Sequence, residues 1–218
     1  MLFGTISYLN LLPFQLFLKR YISHNSAKMS LHYKRAVPSR INKALKRRSI
    51  HAAFISSVES RKCRCTSLGI IAHKEVYSVF LLEGMQENDP ASATSNALAK
   101  VLHLEGKVLI GDVALKYYLD GGEGIDLATA WYEKTGLPFV FARLCYNKHG
   151  KYIQKLAHTF AHTRVKIPQY ILKKEAKKRG LTPQQLTWYL SYIHYNLDNK
   201  AQKSLKLFLK KTKNIQSR

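Results

Sequence analysis

The chain has 218 residues, 46% of them hydrophobic, which is enough for a substantial core in one or two domains and too apolar for a disordered tail. Three cysteines, Cys63, Cys65 and Cys145, form no metal-binding pattern, and their odd count argues against a disulfide framework. The formal net charge of +23 is uneven: residues 1–76 carry 14 Lys and Arg against 2 Asp and Glu (+12), residues 77–146 carry 5 against 9 (−4), and residues 147–218 carry 17 against 2 (+15). The two ends share a composition that the middle lacks, as in a discontinuous domain that closes around an inserted one.

The first segment, GTISYLNLLPF at 4–14, is apolar without reading as an export signal or a membrane span. Its first positive charge, Lys19, follows the run instead of preceding it, and no small-residue cleavage site comes after. Pro13, Gln15 and Lys19 interrupt it well short of the roughly 20 residues that a spanning helix needs. The cytoplasm is therefore the expected compartment. The pattern predicts a strand over 3–8, a turn, and a helix from about Pro13, since proline suits a first helical position. Asn10 then either faces a ligand at the carboxyl end of the strand, where open α/β sheets place their sites, or caps the helix.

SLHYKRAV (30–37) alternates like a strand, and PSRINKALKRR (38–48) sets Ile41 and Leu45 at helical spacing. IHAAFISS (50–57) is a short apolar strand closing on two serines. Residues 67–84 read as one or two strands, and NDPASATS (88–95) as a loop leading into a helix over 96–104. KVLIGD (107–112) is a strand with a polar stop, DLATAWYEKTG (126–136) a helix ended by Gly136, and LPFVFARLCY (137–146) a buried strand. From 148 onward the pattern is all helical. Thr182, Pro183 and Gln185 make a capping box with proline at the first helical position, and Asn199 caps a last basic helix reaching about Lys213. Strands and helices alternate for two thirds of the chain, which defines an α/β fold.

Four stretches put small polar residues where strands end: Tyr8-Leu9-Asn10, Ile55-Ser56-Ser57, Tyr77-Ser78-Val79 and Ser92-Ala93-Thr94-Ser95-Asn96. The last begins a helix, whose free N–H groups and hydroxyls suit a carboxylate or phosphate; the plain alternative is N-capping by Ser92 or Thr94. Four such points together favour a small anionic ligand. His73 and Asp112 are acid–base candidates, against a satisfied core histidine and a helix cap. His158 and His162, at i and i+4, have metal-ligand spacing but no third ligand. Trp131 and Trp188 fall at apolar helical positions of the core. Lys46-Arg47-Arg48 and Lys177-Lys178-Arg179 read as solvated helix faces. The positive charge invites a nucleic-acid reading, but no nucleic-acid-binding motif is present, and a basic enzyme drawing in a small polyanion fits as well. Gly-rich phosphate loops, nucleophile elbows and Cys–His signatures are missing.

These stretches together resemble the chorismate dehydratases of the futalosine route to menaquinone. The resemblance runs through residues 4–14, V-P-S-R-I-N at 37–42, F-I-S-S at 54–57, Y-S-V at 77–79, T-S at 94–95, L-I-G-D-V-A-L at 109–115 and D-L-A-T-A-W-Y-E-K-T-G-L-P-F-V-F-A at 126–142. It implies a two-lobed α/β fold like the type II periplasmic binding proteins, with residues 1–79 plus 142–218 in one lobe, 80–141 in the other, and two crossings between them near 78–82 and 138–144. It implies dehydration of chorismate to 3-[(1-carboxyvinyl)oxy]benzoate without a cofactor or metal, and chorismate as partner, with no nucleic acid or membrane. By the same resemblance, Asn10 and Ser78 are catalytic, and Ser39, Ser56, Ser57, Thr94, Ser95 and Asp112 bind substrate. The chain departs from the pattern in a short segment at 96–108 and in Arg143, which stands where an aromatic is usual. The competing reading is a non-catalytic binder of a small carboxylate on the same scaffold. The later enzyme of the same route needs a histidine base, for which only His73 or His103 would serve.

Overall fold

A computed structural model describes residues 1–24 and 32–216. The strands are β1 (Leu2–Thr5), β2 (His32–Arg35), β3 (Ala52–Ser56), β4 (Arg64–Ala72), β5 (Val79–Leu82), β6 (Lys107–Ile110), β7 (Ile125–Asp126), β8 (Phe139–Tyr146) and β9 (His194–Asn196). The α-helices are α1 (Leu12–His24), α2 (Pro38–Lys46), α3 (Ala93–Leu102), α4 (Gly111–Leu119), α5 (Leu127–Thr135), α6 (Gly150–Ala161), α7 (Gln169–Lys177), α8 (Pro183–Ser191) and α9 (Asn199–Gln216), with short 3-10 helices at Leu9–Leu11 and Ser57–Lys62.

Six strands form one sheet in the order β2-β1-β3-β8-β4-β9, and three form another in the order β6-β5-β7. In the larger sheet β2, β1 and β3 run parallel, while β8, β4 and β9 add antiparallel pairs. The parallel part explains why AAFIS in β3 is buried at every position: crossover helices cover both faces of parallel strands. The chain leaves the larger sheet after Ala72, enters the smaller one at Val79, and returns to the larger one at Phe139.

Local chemistry accounts for the ends of these elements. Pro38 opens α2, and Ile41 and Leu45 on its inner face are fully buried. Asp126 caps α5 by accepting the Ala128 and Thr129 N–H groups, and Gly136 closes it at φ 64°, the left-handed conformation that glycine adopts freely. The Thr182–Gln185 capping box is present in both directions. Phe14 centres the main core, with edge-on contacts to Phe54 at 5.0 Å and Phe160 at 5.1 Å. Trp131 is fully buried, and its indole N–H donates to Ser204 Oγ at 2.9 Å.

Several expectations need correcting. The first strand stops at Thr5, because Leu9–Leu11 already turns as a 3-10 helix. Of the strand expected over 30–37, residues 30 and 31 lie outside the described residues. The segment after 148 is not wholly helical: β9 pairs with β4 at the sheet edge. Asp198, not Asn199, caps the last helix by accepting the Ala201 N–H at 2.7 Å. Trp188 is half-buried in an aromatic group with Tyr77, Tyr118 and Tyr192 instead of lying in the core. His73 sits exposed, just past the end of β4. Arg179 turns inward instead of lying on a solvated face. Cys65 and Cys145 are direct partners across β4 and β8 and form a disulfide, which leaves only Cys63 as a thiol. This is one cross-strand link, compatible with an odd count. Among the described residues no helix is long and apolar enough to cross a membrane.

Candidate active site

The carboxyl ends of β1 and β3 and the starts of α2, α3 and α4 converge on a narrow cavity between the two sheets. Its polar lining consists of Tyr8, Asn10, Ser56, Ser78, Ser92 and Ser95, set among apolar residues such as Ile55, Ile70, Val79 and Phe141. Among the described residues no Lys, Arg, His, Asp or Glu lines it. Positive potential comes instead from helix N-termini: Pro38 opens α2, Ser92 caps α3 and Gly111 opens α4, and all three stand on the wall. Each presents N–H groups lacking intrahelical acceptors and the positive end of a helix dipole. The wall thus offers dipoles and hydroxyls, without a formal counter-charge, an arrangement that suits a small anion.

Asn10 sits at the centre of the 3-10 turn after β1. Its backbone is fixed while its amide is free. The Asn10 carbonyl accepts the Tyr195 hydroxyl at 2.7 Å, and the neighbouring Leu9 N–H donates to Asp112 at 2.9 Å. The Asn10 side chain makes no hydrogen bond among the described residues and caps no helix. Ser78 lies at the chain's passage into the smaller sheet. Its hydroxyl oxygen accepts the Tyr189 hydroxyl at 3.0 Å, and its carbonyl accepts the Gly111 N–H at 2.8 Å. Burial drives the Tyr189 phenol well above its ordinary pKa, so it stays a donor. With its oxygen so engaged, Ser78 keeps its own proton for a ligand.

The segment before Ser78 hangs on Asp126, whose second carboxylate oxygen accepts the Val76 and Tyr77 N–H groups at 2.9 and 2.8 Å. Burial raises the Asp126 pKa, and the four backbone donors oppose that rise. Ser56 is held by Asn42, which donates to its hydroxyl and accepts its N–H, both at 3.1 Å. Ser92 and Ser95 share a hydroxyl–hydroxyl bond of 2.8 Å at the mouth of α3. Tyr8 packs its ring on Gly111, whose φ is +71° and where a Cβ would stand 2.7 Å from that ring. Burial first, then the charges of Asp89 and Asp112, push the Tyr8 phenol up to about 12.

Of the residues singled out in the sequence, Asn10, Ser56, Ser78 and Ser95 thus come together, whereas Ser39, Ser57, Thr94 and Asp112 do not line the cavity. Ser57 is fully buried and donates to the Val140 carbonyl at 2.6 Å. The Thr94 hydroxyl accepts the Val58 N–H at 3.4 Å. Ser39 is half-buried one residue beyond Pro38. Asp112 pairs with Arg179, which also donates to the Ser7 carbonyl at 2.7 Å and so ties α4 and α7 to the segment before Asn10. His73 and His103 lie outside the cavity. The supporting residues Tyr189, Asn42, Asp126 and Tyr195 were not foreseen. Only Asn42, a polar residue beside the apolar face of α2, carried a sequence signal.

The architecture matches solved structures of low sequence identity. A protein of Archaeoglobus fulgidus aligns with a TM-score of 0.72 at 12% identity, over 100% of this chain and 98% of the other. A Candida albicans protein described as having the generic periplasmic binding protein fold aligns with a TM-score of 0.55 at 10% identity, over 98% and 90%. The class defined by fold and cleft is that of the periplasmic-binding-protein-like α/β proteins. At the level of sequence, the family model for menaquinone biosynthesis matches residues 92–214. The chorismate dehydratase of Campylobacter jejuni is 50% identical over 220 residues, 98% of each chain, and that of Thermus thermophilus is 27% identical over 79% of this chain and 83% of its own. The chain belongs to the menaquinone-biosynthesis family of chorismate dehydratases.

Proposed function

We infer that this protein is an enzyme that dehydrates chorismate to 3-[(1-carboxyvinyl)oxy]benzoate and water, a carbon–oxygen lyase reaction in the cytoplasm. The observation that carries the reading is the cavity where Asn10 and Ser78 meet three helix N-termini, with the neutral phenol of Tyr8 as the one titratable group on its wall among the described residues, in a chain half identical to a chorismate dehydratase.

The chemistry fits such a site. The C3–H bond breaks, its electrons form the C3–C4 double bond, and the C4–O bond breaks to release hydroxide, which takes up the proton removed from C3, passed on by the base that abstracted it, and leaves as water. The ring becomes aromatic, so the driving force lies in the product, and the protein has mainly to orient the substrate and stabilise charge. Asn10 donates its amide N–H to the departing C4 oxygen. Ser78, with its oxygen fixed by Tyr189, donates to the same oxygen or to a ring carboxylate. Ser56, Ser92, Ser95 and the N-terminus of α3 hold carboxylates. The substrate's enolpyruvyl carboxylate takes the C3 proton. Ser57 and Thr94 act on the backbone around the cavity, and Asp112 with Arg179 positions the turn that carries Asn10. No step calls for a metal or organic cofactor.

The cavity has about 80 Å³ of free space, below the roughly 300 Å³ at which ligand pockets begin. The two sheets are accordingly proposed as lobes that part to admit the substrate and close over it. They would hinge where the chain changes sheets, at 73–78 and 136–138.

The test is incubation of the purified protein with chorismate and mass spectrometry for an aromatic product lighter by one water. Its formation without added metal or cofactor supports the dehydratase. Tight binding without turnover would replace it with a carboxylate-binding protein on the same scaffold.

A further inference from the structure

A second, larger and open cavity lies on the other side of the Asn10 turn, lined by α6, α7, α8, β9 and the segment between α6 and α7. Its volume is about 710 Å³, within the roughly 300–1,000 Å³ of small-molecule sites. Phe160, Leu172, Leu190, Ile193 and the ring of Tyr195 give it an apolar body. His73, His194 and Arg164 are exposed polar residues of its lining.

The charge on that wall is unbalanced. The His73 and His194 rings stack with centroids 4.0 Å apart, and Arg164 has no acidic partner among the described residues. The one carboxylate on the wall, Asp198, is already engaged in capping α9. Burial and the neighbouring His73 lower the His194 pKa, with Asp198 opposing them. An anion placed against His194 opposes the lowering of its pKa by burial and by His73. The dehydration mechanism uses none of these groups.

The wall also reaches the first cavity. Tyr195 contributes its ring to the second cavity, while its hydroxyl donates to the carbonyl of Asn10, whose amide lines the first. Pro13, three residues on from Asn10, is on the same wall. A ligand that displaces Tyr195 therefore displaces the Asn10 turn, which is the physical requirement for coupling two sites.

We propose that this cavity is an effector site for an amphipathic organic anion, with an aromatic or aliphatic body among Phe160, Leu190 and Ile193 and a carboxylate, sulfonate or phosphate against His73, His194 and Arg164, coupled to Asn10 through Tyr195. The probe is 8-anilinonaphthalene-1-sulfonate, titrated into ¹⁵N-labelled protein and followed by fluorescence and amide shifts. One-to-one binding is expected, with shifts at Leu190, Ile193 and Asn10. Arg164→Gln, at an exposed position that does not bear on folding, weakens binding about tenfold. Leu190→Trp, which crowds the apolar body with an indole, weakens it as well, and Tyr195→Phe keeps binding but loses the Asn10 shift. Absence of saturable binding, binding indifferent to both Arg164→Gln and Leu190→Trp, or shifts confined to the first cavity would overturn the site. Binding that leaves Asn10 unmoved would overturn the coupling. These readouts need no turnover, so they stand apart from the test of the dehydratase.

Discussion

Tyr189 and Ser78, 111 residues apart in the chain, are joined by a buried hydrogen bond of 3.0 Å in which the phenol donates to the serine oxygen. One partner lies on α8 and the other at the passage between sheets, so the bond links the helical C-terminal region to the cavity wall. Tyr189→Phe keeps the ring and its packing and removes only the donor. Ser78 then turns its proton toward other acceptors. A kcat lower by about fivefold is expected, with KM and melting temperature little changed, since a net hydrogen bond contributes about 1 kcal/mol and 1.4 kcal/mol is a factor of ten in rate. An unaltered kcat in a folded variant would show that Ser78 needs no such orientation.

Asn10→Ala removes the one free amide in the cavity. The turn itself is held without the Asn10 side chain, by Leu11 N–H to the Tyr8 carbonyl at 3.1 Å and by Leu9 N–H to the Asp112 carboxylate, so the fold persists. Loss of a preorganised donor to a developing oxyanion costs about 10²–10³ in kcat, and that loss is expected here. Asn10→Asp puts a carboxylate beside a dianionic substrate and is expected to raise KM as well. Steady-state kinetics with melting curves on both variants decides the matter, and full activity in Asn10→Ala would remove Asn10 from the chemistry.

The contrast between neighbouring residues shows what was legible in the sequence. The alternation of strands and helices was readable because apolar spacing, Pro38, Gly136 and the Thr182–Gln185 box each act locally. The strand β9 was not, since three residues inside a helical stretch carry no period and pair only with the distant β4. Ser56 and Ser57, or Thr94 and Ser95, look alike in sequence. Which of each pair faces the ligand depends on the phase of the strand or helix, and one residue of phase sends Ser57 to Val140 and Thr94 to Val58. Tyr189 and Tyr195 are invisible for the same reason: an aromatic at helical or strand spacing is core by pattern, and only the fold reveals what its hydroxyl reaches.

Gly111→Ala tests the junction between Tyr8 and α4. The residue has φ +71°, and a Cβ would lie 2.7 Å from the Tyr8 ring. Both the left-handed backbone and the clash act in the same direction, for a cost of about 1–3 kcal/mol. The ring of Tyr8 must move, and with it the cavity wall. A lower melting temperature together with a raised KM for chorismate is expected. A variant with wild-type stability and KM would show that the chain there relaxes freely.

The pH dependence of turnover follows from the cavity lining. Tyr8 is its one titratable residue, and its pKa, pushed up to about 12, keeps the phenol neutral throughout the ordinary range. Substrate carboxylates are ionised above about pH 4. With a substrate carboxylate as the base, kcat is expected to be flat from about pH 6 to about pH 10. Stability behaves differently. His194, outside this cavity, has a folded-state pKa below the ordinary 6.5, so the unfolded chain binds its proton first and stability falls as the pH drops below about 6.5. The two effects separate cleanly when kcat and melting temperature are measured across the same buffers. A bell-shaped kcat profile with an apparent pKa near 6.5 would mean that an imidazole takes the C3 proton, and the substrate carboxylate would lose its role as base.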